Sequence, residues 1–303
     1  MGISFYKALF FPLHLNIGKN FTKGVVYKLN HSELSELKGK VCLIYDVPNH
    51  NYAPKTEENA GIRQFRIPQY QGFLIKLDSY KDLNDYIDQT FKSKSKYNLR
   101  RSYRQLEQEF SISYKTFFGS ISKEEYDFLF DKFRSLLVER YKKKGITNNN
   151  LKSKEWDFYT DVAYSLINEK KAILFVMYDK EKPIAITFSY CSGTTLYNAI
   201  PAFDINYGKY SPGSISILKL IEWCMYNGLE TFDFSKGYFD YKKRWSDTNY
   251  WYEYHIYYDA NNPFTVLIAF LIKKHFQTKR WLRSLNFDEK LHRFSFWFRR
   301  FFL

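Results

Sequence analysis

The fold is decided by three runs, Ala172-Ile-Leu-Phe-Val-Met-Tyr178, Ile184-Ala-Ile-Thr-Phe-Ser-Tyr-Cys191 and Thr195-Leu-Tyr-Asn-Ala-Ile200, and by the residues just beyond them. Each is rich in β-branched and aromatic residues. Asp179 to Lys182 separates the first two, with Pro183 opening the second strand, and Ser192-Gly193 separates the last two. Such spacing predicts strand, turn, strand, turn, strand. Next come a glycine-bearing loop, Gly208 to Gly213, and a helical pattern from Ser214 to Asn227 ended by Gly228. Thr231-Phe-Asp-Phe-Ser235 then predicts another strand.

Outward from this block the same two periods alternate. On the C-terminal side, Trp251 to Tyr258 is strand-like. On the N-terminal side, Ser122 and Glu125 form a capping box for a helix carrying Phe128, Leu129, Phe133, Leu136 and Leu137, with Gly145 as its stop. Asn148 to Asn150 marks a loop, and Glu155 to Asn168 a second amphipathic helix. Ser111 to Phe117 alternates as a strand, and Asp82 to Phe91 and Lys96 to Glu109 suggest helices. Val41 to Tyr45 and Gly72 to Leu77 are strand-like, and polar Tyr52 to Arg63 suggests a loop. No repeat of fixed period is visible. The expected class is α/β.

The 303 residues suffice for two domains or one large one, and 45% apolar with 26% charged residues excludes global disorder. Aromatic residues make up 20% of the chain, enough for core packing, a groove or a membrane interface. The net charge of +14 calls for an anionic partner: nucleic acid, a phosphorylated cofactor or acidic lipid. Three separated cysteines, Cys42, Cys191 and Cys224, form no disulfide framework and no metal-ligand spacing, so no metal is expected. Phe5 to Leu15 is interrupted by Lys7, Pro12 and His14, which argues against an export signal. The longest clean apolar run, Phe264 to Ile272, falls short of the about 20 residues a spanning helix needs.

Three constellations carry chemistry. Gly208, Lys209, Tyr210, Ser211, Gly213 and Ser214 combine small residues, a cation and a helix start with Ser at the N-cap and Pro212 at the first helical position. A helix N-terminus attracts anions, so the loop suits a pyrophosphate; an ordinary capped helix fits the same residues. Arg100, Arg101 and Arg104 share roughly one helix face, as a phosphate-capturing group or a solvated basic face. No nucleic-acid motif accompanies them, and no DNA partner is expected. In Phe232-Asp-Phe-Ser-Lys-Gly237, with Tyr241, Lys242 and Trp245 beyond, Asp233 alternates away from the phenylalanines. It is either a general base or a local hydrogen-bond acceptor; Tyr241 either protonates a leaving thiolate or packs; Lys236 and Lys242 suit an anionic substrate group. His255 among tyrosines is a packed histidine before it is a base. No Ser-His-Asp order or Walker-type loop is present.

The tail, 264–303, sets Lys273, Lys274, Lys279, Arg280, Arg283, Lys290, Arg293, Arg299 and Arg300 against only Asp288 and Glu289, interleaved with aromatics. It has the composition of a helix lying on anionic lipid, or of one docked on the protein with a basic outer face.

The segments 96–107, 202–213 and 232–237 with Tyr241, Lys242 and Trp245 resemble the GNAT-superfamily acetyltransferases of the CelD-like type, relatives of the FemAB peptidyltransferases. The likeness spans about 92–245. It implies two tandem GNAT-like folds with mixed central sheets, divided as 1–115 and 116–262; the composition of the tail adds a helical basic extension over 263–303. It also implies an acyl-CoA donor, acetyl-CoA in the family pattern, with its pyrophosphate at 208–214. The acceptor expected is an amine of an amino sugar or other cell-envelope precursor, and the expected place is the cytoplasm, at the inner face of the membrane. Asp233 would take the amine proton, Tyr241 would protonate the thiolate, and backbone N–H groups near Tyr197 to Ala199 would hold the oxyanion. One departure stands out: Tyr210-Ser-Pro-Gly213 replaces the family's usual Gln/Arg-x-x-Gly-x-Gly/Ala loop. FemAB-like relatives use aminoacyl-tRNA, which keeps tRNA-dependent transfer as an alternative, alongside a non-catalytic membrane- or partner-binding module.

Overall fold

A computed structural model describes residues 2–4, 37–49, 61–146 and 148–285. The described chain forms two compact units. One is contiguous, Leu74–Ser235; the other draws on the chain up to Phe73 and again from Lys236. The sequence boundary at 115/116 therefore falls inside the contiguous unit. The helix from Ser93 and the strand ending at Phe117 belong with the central meander, because their partners lie there. The apolar stretch Phe5 to Leu15 lies outside the described residues.

In the contiguous unit the strands are β4 (Ile112–Phe117), β5 (Ala172–Asp179), β6 (Lys182–Ser192), β7 (Thr195–Phe203) and β8 (Thr231–Asp233). The last three residues of β3 (Ile62–Lys76) pair beyond β8. The order is β3-β8-β7-β6-β5-β4. All neighbours are antiparallel except β7 and β8, which are parallel because helix α5 (Pro212–Tyr226) carries the chain back between them. The sheet is thus mixed, as expected.

β5 and β6 are buried along nearly their whole length, which explains their almost continuous apolar sequence. One sheet face packs on α3 (Lys123–Lys144) and α4 (Ser153–Asn168): Phe188 meets Phe130 at 6.2 Å and Tyr159 at 6.4 Å. The opposite face meets α5, where Cys224 and Cys191 are neighbours. α3 starts as the sequence predicts. Ser122 Oγ accepts from the Glu125 N–H at 3.2 Å, and Gly145 closes the helix in the left-handed conformation. α1 (Leu83–Thr90) and α2 (Ser93–Glu109) complete the unit.

The other unit holds β1 (Gly2–Ser4), β2 (Val41–Pro48), β9 (Thr248–Asp259) and the earlier part of β3, in the order β1-β2-β9-β3. β1 runs parallel to β2, and β2 antiparallel to β9. β3 is much longer than the expected Gly72 to Leu77, and its start converts Ile62 and Arg63 of the expected loop into strand. Tyr45, Tyr254 and Phe276 pack edge to face on the sheet, joined by Leu43, Ile67 and Ala269. Phe276 and Ala269 come from α7 (Pro263–Ser284), the helix expected at the C-terminal end. α6 (Asp240–Trp245), a six-residue helix, has no counterpart among the sequence expectations.

Candidate active site

β7 and β8 pair over only three positions, Thr195–Thr231, Leu196–Phe232 and Tyr197–Asp233. β7 then runs six residues further, to Phe203, without β8 beside it. At the point of parting β7 carries a bulge: Ser189 opposes Asn198 and Phe188 opposes Ile200, so Ala199 is the extra residue. A bulge takes backbone groups out of the ladder and redirects them.

From Phe203 the chain enters a 3-10 turn, Ile205–Tyr210, and then α5. The turn is fixed from three sides. Asp204 accepts from the Asn206 N–H at 2.9 Å and from Lys182 Nζ at 2.7 Å. Burial pushes its carboxyl up, but these partners outweigh it and hold the group below its ordinary value. Tyr207 donates to Asp179 at 2.8 Å, and burial with that carboxylate pushes its phenol up to about 12. Tyr210 hydrogen-bonds Glu109 and packs on Phe110, both at the end of α2. The loop and the helix bearing Arg100, Arg101 and Arg104 are therefore brought together.

The helix start differs from the sequence reading in one respect. Ser211 occupies the N-cap position, but in the left-handed conformation at φ 56°, and its side chain makes no cap bond. It is also the residue that ends the 3-10 turn. Its carbonyl instead receives both the Ser214 N–H at 2.9 Å and the Ile215 N–H at 3.2 Å. Pro212 has no N–H, so Gly213 carries the first N–H of the helix. A Cβ on Gly213 would come within 3.3 Å of the Phe203 ring; one on Gly208 would meet nothing within 4 Å. Gly213 thus permits the approach of α5 to β7, and Gly208 is open to solvent. Lys209 is exposed, 3.5 Å from Glu109, and its ammonium is held charged chiefly by the Tyr210 hydroxyl. Arg100, Arg101 and Arg104 are exposed; Arg100 lies 3.8 Å from Asp88.

Asp233 is fully buried at the end of β8, and its Oδ1 accepts from the Ser235 N–H at 2.7 Å. Ser235 is itself left-handed, at φ 59°. The carboxylate thus holds the turn that leaves β8.

In the other unit, Lys236, Tyr241, Lys242 and Trp245 gather around α6. Lys242 is 5% exposed; its Nζ donates to the Lys236 carbonyl at 2.9 Å and lies over the Phe239 ring at 5.4 Å. Trp245 is buried, and Tyr241 packs on Phe239 with ring centres 6.0 Å apart. Lys236 forms an ion pair with buried Asp46 at 2.6 Å. His255 is fully buried and bonded to Glu253 at 3.1 Å, in keeping with a packed histidine. The three cysteines are buried and free, with the Cys191 thiol pushed up to about 12 by burial.

Asp204, Asp179, Glu109, Arg140 and Asp46 escape a reading of the sequence. Arg140 donates to the Pro201 carbonyl at 2.8 Å and covers the Phe203 ring at 4.3 Å. Only Asp204 carries a local signal, an Asp two residues before Asn at a loop start, the pattern of an Asx turn.

β7 and β8 thus part beside a bulge, and a loop and helix start lie at the end of β7. Residues 93–243 match the family model described as an acetyltransferase (GNAT) domain, so the chain carries a GNAT domain and is an acyltransferase of that type. No curated protein matches the chain. Among solved structures it is similar to FemX, at 12% identity over 76% of this chain and 74% of that one, with a TM-score of 0.52. It is also similar to the C-terminal domain of a putative lysylphosphatidylglycerol synthetase from Agrobacterium fabrum, at 11% identity, 82% and 81% coverage and a TM-score of 0.48. L-PGS from Bacillus licheniformis gives 14%, 83% and 77%, and 0.47. At these identities the likeness to FemX speaks for the fold alone.

Proposed function

We propose that the protein transfers an acyl group from acyl-CoA to an amine, with the donor's pyrophosphate at Gly208–Ser214. The observation that carries this is the parting of β7 from β8 at the Ala199 bulge, with the open Gly208 and the start of α5 at its end. Lys209, Tyr210, Ser211 and Ser214 line the same turn and helix start. The amine nitrogen attacks the thioester carbonyl, backbone N–H groups at Tyr197 to Ala199 hold the oxyanion, and the C–S bond breaks. Asp233 remains the carboxylate closest in sequence to the parting point and is our choice for receiving the amine proton through water; Tyr241 is our choice for protonating the departing thiolate. Arg100, Arg101, Arg104, Lys242 and Trp245 serve substrate binding, and Lys236, paired with Asp46, borders the bound substrate. The acceptor class we favour is an amino sugar or other cell-envelope precursor, as in CelD-like proteins, met at the inner membrane face.

Calorimetric titration with acetyl-CoA tests the donor. One saturable site is expected, weakened tenfold or more by Gly208→Glu with an unchanged melting temperature, because a side chain at 208 has free space. Failure of acetyl-CoA and longer acyl-CoAs to bind would move the reading to aminoacyl-tRNA-dependent transfer, which the exposed arginines of α2 favour, and a tRNA gel shift would decide it.

A further inference from the structure

Asp46 is a buried carboxylate at a bulge of β2. Two residues of β2, Tyr45 and Asp46, stand against the single Tyr254 of β9, because Ile44 pairs with His255 and Val47 with Glu253. At this bulge Asp46 adopts φ 60°, a conformation that non-glycine residues reach at a cost. Strain of this kind gathers at ligand sites. The carboxylate is 5% exposed. Its Oδ2 takes the Lys236 ammonium at 2.6 Å, while its Oδ1 is buried with no hydrogen-bond partner.

Around it stand tyrosines. The Tyr45 and Tyr254 rings meet edge to face at 4.7 Å, and Tyr70 lies 6.4 Å from Tyr254. The charge of Asp46 is felt there: burial first, then Asp46, pushes the phenols of both Tyr45 and Tyr254 up. The Lys236 ammonium sits 5.7 Å over the Tyr70 ring. Arg283 lies over the same Tyr70 ring at 4.3 Å and donates to its hydroxyl at 3.0 Å. A buried carboxylate among aromatic rings is the chemistry that recognises an ammonium ion. Lys236, half-exposed and on a flexible stem, fills that place yet satisfies only one of the two oxygens.

We infer that the cluster of Asp46, Tyr45, Tyr70 and Tyr254 is a binding site for a primary ammonium, held in this structure by the protein's own Lys236 and taken over by an amine-bearing ligand. A primary ammonium has three donors and can serve Oδ1 as well as Oδ2. The site deepens the proposed transfer to an amine and rests on that reading only for calling the ligand an acceptor.

The test is calorimetric titration with glucosamine and ethanolamine, each beside its N-acetylated counterpart. At least one amine is expected to bind, with the N-acetylated form tenfold weaker or worse. Asp46→Asn, which tolerates the left-handed backbone, should weaken that binding tenfold or more. Lys236→Met should tighten it threefold or more, because the internal competitor is gone; a lysine that merely packs there would give no gain. Lack of binding by every amine to wild type and Lys236→Met alike, equal binding of the N-acetylated forms, or an unaffected Asp46→Asn overturns the site. Should Lys236→Met fail to fold, the Asn variant and the N-acetylated controls still decide. Titration with acetyl-CoA in parallel separates the two ideas: its failure sinks the donor reading and leaves the amine site to its own result.

Discussion

At the residue scale, the chain relies on small side chains where rings come close. A Cβ on Gly72 would lie 2.2 Å from the Tyr250 ring, which is itself buried and packed on Tyr252 at 5.1 Å. Gly72→Ala should therefore destabilise the protein by about 1–3 kcal/mol, the cost of overpacking a filled core. Urea unfolding reads this directly, and an unchanged midpoint would show that Tyr250 yields freely. The sequence marks Gly72 only as the start of a strand. The same limit applies to Asp46, whose partner Lys236 lies 190 positions away. Asp233 is visible in the sequence as a carboxylate at a strand end, but its bond to the Ser235 N–H depends on a left-handed turn that Ser-Lys-Gly does not announce.

At the scale of elements, local signals are strong where an element carries its own start and stop. Ser122, Glu125 and Gly145 delimit α3 as written in the chain. β3 looks short in the sequence because Pro68 interrupts its alternation and its first half is only partly covered, so it lacks an apolar stripe. α6 is too short for a period to show. α7 is legible by composition, and its structure sharpens the membrane proposal. Thr265, Ala269 and Phe276 face inward, while Phe264 (77% exposed), Leu267 (56%), Ile268 (47%) and Leu271 (58%) form a continuous outward face. Five basic residues and no acidic one accompany them between Pro263 and Leu285. No described helix is long and apolar enough to cross a membrane. We propose that this exposed apolar face, with its basic residues, rests on the surface of an anionic bilayer. Full-length protein should pellet with phosphatidylglycerol vesicles, and Leu267→Glu with Leu271→Glu should reduce pelleting at least fivefold. Equal pelleting of the variant would refute the contact.

At the scale of the whole molecule, stability should depend on pH through one buried network. Burial holds the His255 imidazole below its ordinary value of 6.5, against the pull of Glu253. The unfolded chain then binds the proton more readily, so stability falls as pH drops through about 6.5. Burial pushes Glu253 up, but His255 and Arg66, the latter at 2.7 Å, outweigh it and hold it below 4.5. Its contribution is present above that value and is lost on further acidification. The urea midpoint should therefore fall between pH 7.5 and 5.5, and His255→Gln should flatten that step; an equally steep step in the variant would assign it elsewhere.

The interleaving of the two units has a consequence for biosynthesis. Leu74–Ser235 is one unbroken run, so it holds all its sheet partners as soon as it has left the ribosome. β2 has no such freedom, because β9 is translated some two hundred residues after it. Its apolar edge, Val41 to Val47, must wait through the synthesis of the intervening domain, and closing so long a loop is what slows folding. A nascent chain of this protein thus carries β2 without its β9 partner while Leu74–Ser235 is already folded, and the later arrival of β9 and α7 completes what β2 began.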